Sequence, residues 1–406
     1  MDRCELPKHE DRALEKAPTS LSRPAGFYMP ELDGLRFIAF LLVFVHHLPF
    51  PKTWLDASEV LRKTHAFGWI GVDIFLVLSA YLLTRIAIVE VQKTGKFDVR
   101  RFFVRRILRI WPLYYLGLLI GFFLYPGFLI ATGQGTIEKA AAGARDHLIP
   151  YALFVGNFSY AELRNSLGLY KSLWTICMEE QFYLIFPLIA TIAIVGSRRR
   201  AILFTVVASI VAAFLFRIYL QIAGIHYPWV WVTLLSRLDP FALGIAIAAF
   251  DTVARRNSPT LLLAAIVLVT AGAISSFPQL GASVHTIWQL GLSALGCASL
   301  LLLARKHPAL LANPAVAWLG KISFGLYVYH RFTIDIFVRS TQALSIDDKT
   351  PAAWLIAASL CLAGTIAIAT LSYLFFERRF LSRKTKYELV ASRPQSLFER
   401  NPLGVK

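Results

Sequence analysis

Two residues of opposite chemical habit share one apolar stretch, Arg36 and His47 both falling within residues 33–50. An ionisable side chain inside an apolar span is costly, so each is a candidate for function by default. On a helix the eleven positions separating them cover roughly 16 Å, close to three full turns, so both point to about the same face. Apolar stretches further along hold Asp73, Arg85, Arg106, Arg109, Glu179, Glu180, Asp239, His330 and Glu377. Arginine suits phosphate, because the guanidinium fork stays charged and can bind two oxygens at once. A histidine beside buried carboxylates suits proton transfer, the carboxylate fixing its tautomer and stabilising the imidazolium.

The elements that must hold these residues follow from composition. The chain of 406 residues is 56% hydrophobic and 17% charged, with a mean hydropathy of +0.57. A soluble domain of this size carries about a quarter charged residues. So much apolar surface must meet lipid, which predicts an all-α, polytopic integral membrane protein. Residues 1–30 mix charges of both signs without an apolar run, and read as a polar tail, not a cleaved signal. The net charge of +17 would suggest a polyanion partner in a soluble protein. Here it reads as the excess of Lys and Arg in cytoplasmic loops, and no nucleic-acid partner is expected. Cys4, Cys177, Cys297 and Cys361 are scattered and show no C-x-x-C or zinc spacing, so neither a disulfide frame nor a metal is expected.

Apolar stretches able, or nearly able, to cross a bilayer lie near 33–50, 68–89, 107–126, 174–196, 201–222, 230–250, 260–277, 284–304, 317–339 and 353–376. A further run, His147 to Phe158, is short and contains Pro150, Gly156 and Asn157. If it does not cross, the basic segments all fall on one side. These are Lys93 to Arg109, Arg198 to Arg200, Arg255-Arg256, Arg305-Lys306 and Arg378 to Lys386. The positive-inside rule therefore predicts about ten spans, both termini cytoplasmic, and a long external excursion over 127–173. The organisation is a polar tail (1–30), a membrane domain (31–377) and a basic tail (378–406) in a multi-pass protein of the cell membrane.

Topology places the ionisable residues by depth. Arg36, Arg85, Arg106, Arg109 and Glu377 fall at the cytoplasmic ends of their helices. His47, Asp73, Glu179 and Glu180 fall in the outer half, with Asp239 and His330 nearer the middle. A donor with a phosphorylated head and a reactive end some 15–20 Å away would span both layers. An acyl-coenzyme A has that shape.

The motifs carry a resemblance. ELDGLRFIAFLLVFVHH (31–47) is similar to the opening signature of the acyltransferase type 3 family of membrane-bound O-acyltransferases, with ten residues between its Arg and His. His46 does not fit that spacing. GWIGVDIFLVLSAYL (68–82), RRILRIWPLYY (105–115), SLWTICMEEQFYLIFPL (172–188), RLDPFALG (237–244), LGKISFGLYVYH (319–330) and LSYLFFERRF (371–380) continue the resemblance in the family's order. Ala80, Arg379 and the run TICM (175–178) depart from it, none of them at the Arg–His pair. The resemblance implies transfer of an acyl group, most often acetyl, from cytoplasmic acyl-coenzyme A to a hydroxyl on a sugar or glycan. It implies His47 as catalytic base, Arg36 as a donor-phosphate contact, and Arg106 and Arg109 as an R-x-x-R pair at the cytoplasmic mouth. Some relatives append an extracytoplasmic hydrolase-like domain. The short run after the last span here predicts the stand-alone form.

Each residue also has a plainer reading. His47 could anchor a helix end, and Arg36, Arg106 and Arg109 could rest on anionic headgroups. Asp73 either orients His47 from the neighbouring helix or pairs with another cation. Adjacent on a helix, Glu179 and Glu180 point about 100° apart, so only one of them can face the site. Arg237 and Asp239 read as a buried polar network. His330 and Asp335 match the H-x-x-x-x-D spacing of glycerolipid acyltransferases, yet would face roughly 140° apart. That match is chance, leaving His330 as a secondary polar contact. Gly117 and Gly121 mark close helix packing. No serine elbow, H-E-x-x-H or P-loop is present. The acceptor stays open between a glycan and a small-molecule hydroxyl such as a macrolide, and an acyl-histidine intermediate stays open beside direct transfer. A transporter is the rival class, but no internal repeat supports it.

Overall fold

A computed structural model describes residues 28–162, 169–195, 199–250, 285–343 and 350–389, and every element among them is helical. The principal helices are α1 (Pro30–His47), α2 (Ile70–Thr94), α3 (Val99–Leu119), α4 (Trp174–Ile189) and α5 (Arg199–Ile222). They continue as α6 (Leu238–Ala249), α7 (His285–Lys306), α8 (Pro314–Lys321), α9 (Ser323–Ala343) and α10 (Pro351–Ser372). Local chemistry sets their ends. Helix α1 opens on Pro30 with Glu31 and Asp33 in its first turn, where the N-terminal dipole favours negative charge. Helix α2 stops at Gly95, whose φ of 73° is the left-handed conformation glycine adopts without strain. Asp98 caps α3 by accepting from the Arg101 N–H at 2.9 Å.

Helix α6 lies along α2 and α5, α1 runs between α2 and α8, and α9 packs on α10. The seam between α1 and α8 needs a residue without a side chain, because a methyl group at Gly320 would collide with the Asp33 backbone. Gly320→Ala is expected to cost about 1–3 kcal/mol and lower the melting temperature in detergent. Gly127→Ala, where nothing lies within 4 Å, serves as the unchanged control. Gly117 and Gly121 also sit where side chains approach closely. A Cβ would meet Val328 Cγ1 at 2.9 Å in one case and Tyr170 Cβ at 3.0 Å in the other.

Six described helices are long and apolar enough to cross a membrane: Glu59–Thr94, Val99–Ala131, Leu169–Ile194, Arg199–Ile222, Ile287–Lys306 and Pro351–Tyr387. The expected span at 260–277, both tails and Cys4 lie outside the described residues. Three expected spans look different for physical reasons. Helix α1 carries Glu31, Asp33 and Arg36 within its first two turns. The stretch 230–250 is broken, with a short helix Trp229–Val232 and a turn Leu235–Arg237 preceding the 12-residue α6. The stretch 317–339 divides into α8 and α9, and α9 holds Arg331, Asp335 and Arg339.

The described residues of the segment expected as an external excursion include two helices, Ile137–Ala152 and Gly156–Glu162. They fold back on the bundle. The Tyr114 hydroxyl donates to the Tyr151 carbonyl at 2.7 Å, and the Asn157 amide donates to the Val232 carbonyl at 3.0 Å. Cys177, Cys297 and Cys361 are free and buried.

Candidate active site

His47 is the last residue of α1. Its Nδ1 lies 2.8 Å from the Val43 carbonyl one turn back, so in the neutral ring Nδ1 carries the proton and Nε2 the lone pair. His330 is built the same way on α9. Its Nδ1 lies 2.6 Å from the Tyr327 carbonyl, leaving Nε2 as the acceptor. That Nε2 is 3.3 Å from His47 Nδ1, and the two rings are 5.0 Å apart. Two backbone carbonyls and one partner ring thus hold His47 with Nε2 as the basic nitrogen. His330 is fully buried and far more closely engaged than a secondary contact. The chance reading of H-x-x-x-x-D stands apart from this, since Asp335 turns away to Tyr125 and to Arg339 Nε, the latter at 2.6 Å.

The expected carboxylates separate into two neighbourhoods. Asp73 is ion-paired with Arg237 and accepts from Ser293 Oγ at 2.6 Å; among the described residues no hydrogen bond joins it to His47. Both members of that pair are fully buried, and the Arg237 guanidinium stacks 4.4 Å from the Trp231 ring. A second buried pair joins Arg217 of α5 to Asp239 of α6 at 2.6 Å. Together they make the polar network that Arg237 and Asp239 suggested.

Glu179 and Glu180 point to different partners, as their angular separation requires. Glu179 accepts from the Tyr183 hydroxyl at 2.8 Å, and that hydroxyl is 2.6 Å from Ser79 Oγ. Glu180 accepts from Trp111 Nε1 at 3.2 Å, and its other oxygen is buried with no hydrogen-bond partner among the described residues. Arg106 is buried over the Tyr183 ring, 5.8 Å from its centre, within electrostatic reach of both glutamates. On the other side of Glu179 stands Tyr327, whose hydroxyl is 2.7 Å from Thr175 Oγ1. His330 thus rests on the Tyr327 backbone, while the Tyr327 hydroxyl, hydrogen-bonded to Thr175 and Ser172, is within electrostatic reach of Glu179.

Another set of cations lies toward the other end of the bundle. Arg36 is held by Asp33 at 2.8 Å. Arg105, which the sequence reading passed over, pairs with Glu90 at 3.0 Å and donates to the Tyr387 carbonyl. Arg109 lies within electrostatic reach of Glu377 and Lys384. Helix α9 orders the layers along one axis. Its Gly325 faces Glu377 Oε1, and its His330 meets His47. Its Arg331, Asp335 and Arg339 line a cleft beyond. His330 and Tyr327 were findable as an i, i+3 pair within the motif LYVYH. That Arg331 Nε is buried without a hydrogen-bond partner among the described residues was not findable, because it depends on helices distant in sequence. Among the described residues no three of His, Cys, Asp and Glu gather into a metal-ligand set.

With this geometry in place, comparison with known proteins decides the family. The acyltransferase type 3 profile, described as an acyltransferase domain, matches residues 29–374. The chain belongs to that family. The chain is also similar to a proposed O-acetyltransferase of Staphylococcus aureus strain MSSA476, 28% identical over 377 residues, which are 87% of this chain and 57% of the relative. The peptidoglycan O-acetyltransferase OatA of Listeria monocytogenes is 28% identical over 364 residues, 86% of this chain and 55% of that one. A proposed peptidoglycan O-acetyltransferase of Bacillus subtilis, YrhL, is also 28% identical, over 369 residues, 86% of this chain and 54% of its own length. The chain thus spans about half the length of these relatives. No solved structure matches it. The family expected from the motifs is the one that matches.

Proposed function

We propose that this chain transfers an acyl group, acetyl, from cytoplasmic acyl-coenzyme A to a hydroxyl of a sugar in a cell-surface polysaccharide or lipid-linked glycan. The observation that carries the reading is His47, held with Nε2 as the basic nitrogen roughly 16 Å along α1 from Arg36. The family match and the naming of relatives as O-acetyltransferases support it. Ten spans with both termini cytoplasmic put the arginine-rich end at the cytoplasm and His47 toward the outside of the cell membrane.

In the proposed reaction the donor phosphates rest against Arg36, Arg106 and Arg109, and the pantetheine arm carries the thioester up to His47. Nε2 takes the proton of the acceptor hydroxyl as its oxygen attacks the thioester carbon. The C–S bond then breaks, Nε2 gives the proton to the departing thiolate, and coenzyme A leaves as the thiol toward the cytoplasm while the acceptor departs as an ester. Glu179 and Glu180 set the polarity of the passage between the two layers. Asp73 acts through the scaffold, holding α2 to the stretch that bears Arg237.

The test uses sealed vesicles given labelled acetyl-coenzyme A, with base-labile acetyl groups on surface glycan as the readout. Label on glycan with the native protein, and none without it, is expected. A transporter would move label without esterifying anything. The arginines are separable from the base. Arg36→Gln is expected to raise KM for acetyl-coenzyme A about tenfold or more, the loss of one charge-assisted hydrogen bond. The same variant should leave acetyl-pantetheine, which lacks the phosphates, unaffected.

A further inference from the structure

On the far side of His330 from the arginine-rich end lies a cleft of about 320 Å³, a volume within the range of small-ligand sites. Its described lining carries four cations, Lys139, Lys171, Arg331 and Arg339, and one carboxylate, Asp335. Arg339 Nε binds Asp335 at 2.6 Å, so that pair is largely self-neutralising. Arg331 is different. Its Nε is buried and makes no hydrogen bond to any described residue, and its charge acts on His46, His47 and His330. A buried guanidinium donor without a partner is expensive unless a ligand supplies an acceptor. Its fork matches two oxygens of a carboxylate or phosphate.

We propose that this cleft binds the acceptor through a negatively charged group, so the acceptor is an anionic glycan: a sugar bearing a carboxylate or phosphate near the hydroxyl that is esterified. Resting on the transferase reading above, the inference adds the charge of the substrate. Arg331 is the contact that links cleft and base, being the neighbour of His330 in sequence. An acid group held there, with Lys139 and Lys171 behind it, leaves the rest of the sugar ring to reach toward His47. A neutral acceptor could offer Arg331 a hydroxyl oxygen but would leave the charge of a cleft with four cations and one carboxylate uncompensated.

The experiment is a binding measurement on the full chain in nanodiscs of a zwitterionic lipid, so it does not depend on turnover. The probes are a uronic-acid disaccharide, its neutral reduced counterpart, a hexose phosphate and the parent hexose. Each anionic probe is expected to bind at least tenfold tighter than its neutral partner, the advantage shrinking as salt rises from low to high. Arg331→Gln should remove that advantage without changing binding of the neutral sugars, and Arg331→Lys should keep part of it. Lys139→Gln, at an exposed position where folding is not at stake, should reduce it about threefold. Equal binding of charged and neutral sugars overturns the inference. So does competition by phosphatidylglycerol in the disc with no binding of soluble sugar acids, which would assign the cleft to a lipid headgroup. A charge preference that persists in a protein with no transfer of label to any acceptor would sink the transferase reading, and with it the word acceptor, while leaving the cleft an anionic-sugar site.

Discussion

His47→Ala is expected to lower acetyl transfer by about 10²–10⁴-fold, the contribution of a positioned general base. Donor binding should survive, because the arginines at the other end of α1 are untouched. The same substitution must leave the melting temperature near its native value, since His47 is half-buried at a helix end and its hydrogen bonds are to Val43 and His330 alone among the described residues. His330 gives the complementary measurement. His330→Ala removes the ring that faces His47 Nδ1 at 3.3 Å, so the base loses orientation but keeps Nε2. A smaller loss than for His47→Ala is expected, in kcat more than in KM for either substrate. Equal losses for the two variants would mean that His330 touches the reacting atoms. Transfer by His47→Ala at the native rate would remove the base from the scheme altogether.

The second large effect belongs to stability. Asp73→Leu strands the Arg237 guanidinium, fully buried beside Trp231, without its counter-charge. Breaking a buried pair in this way costs about 3–5 kcal/mol. The double change Asp73→Leu with Arg237→Met removes both charges and is expected to recover most of that loss. Melting in detergent, monitored for the two single variants and the double, gives the coupling directly. The double variant also decides the role of Asp73. If transfer returns with the fold, Asp73 was holding helices together; if the protein melts normally yet stays inactive, the carboxylate serves His47 after all.

Much of this arrangement was legible before any coordinates. Charge counting expected arginine in one layer and histidine with carboxylate in another; the structure sets Arg106 beside Glu179 and Glu180 and puts Arg331 and Arg339 beyond His330. The eleven-residue spacing put Arg36 and His47 on one helix, and α1 runs from Pro30 to His47. Family motifs spread over the chain pointed to the family that matches residues 29–374. Partnerships between helices were harder. Asp73 could reach His47 or a cation by sequence alone, because hydropathy fixes depth along a helix but leaves its rotation about the axis free. The choice fell to Arg237 and Ser293, residues more than 150 positions away. Likewise the distinction between Glu179 and Glu180 rests on Tyr183, Ser79 and Trp111, and only packing brings those together. The break before α6 was also hidden, since Trp229 to Ala249 is apolar enough to read as one unbroken span.

That break bears on how the chain is put into the membrane. Helix α6 has 12 residues, about 18 Å of rise against a hydrocarbon layer of about 30 Å. Arg237 stands immediately before it, and an arginine at the centre of a lone inserted helix costs about 2.5–3.5 kcal/mol. A segment this short and this charged is a poor substrate for insertion one helix at a time. Synthesised well before it, α2 waits with Asp73 already at depth, so the later segment enters the bilayer as the partner of an earlier one. Insertion of this segment is therefore expected to depend on an earlier one, with Asp73 as the docking point.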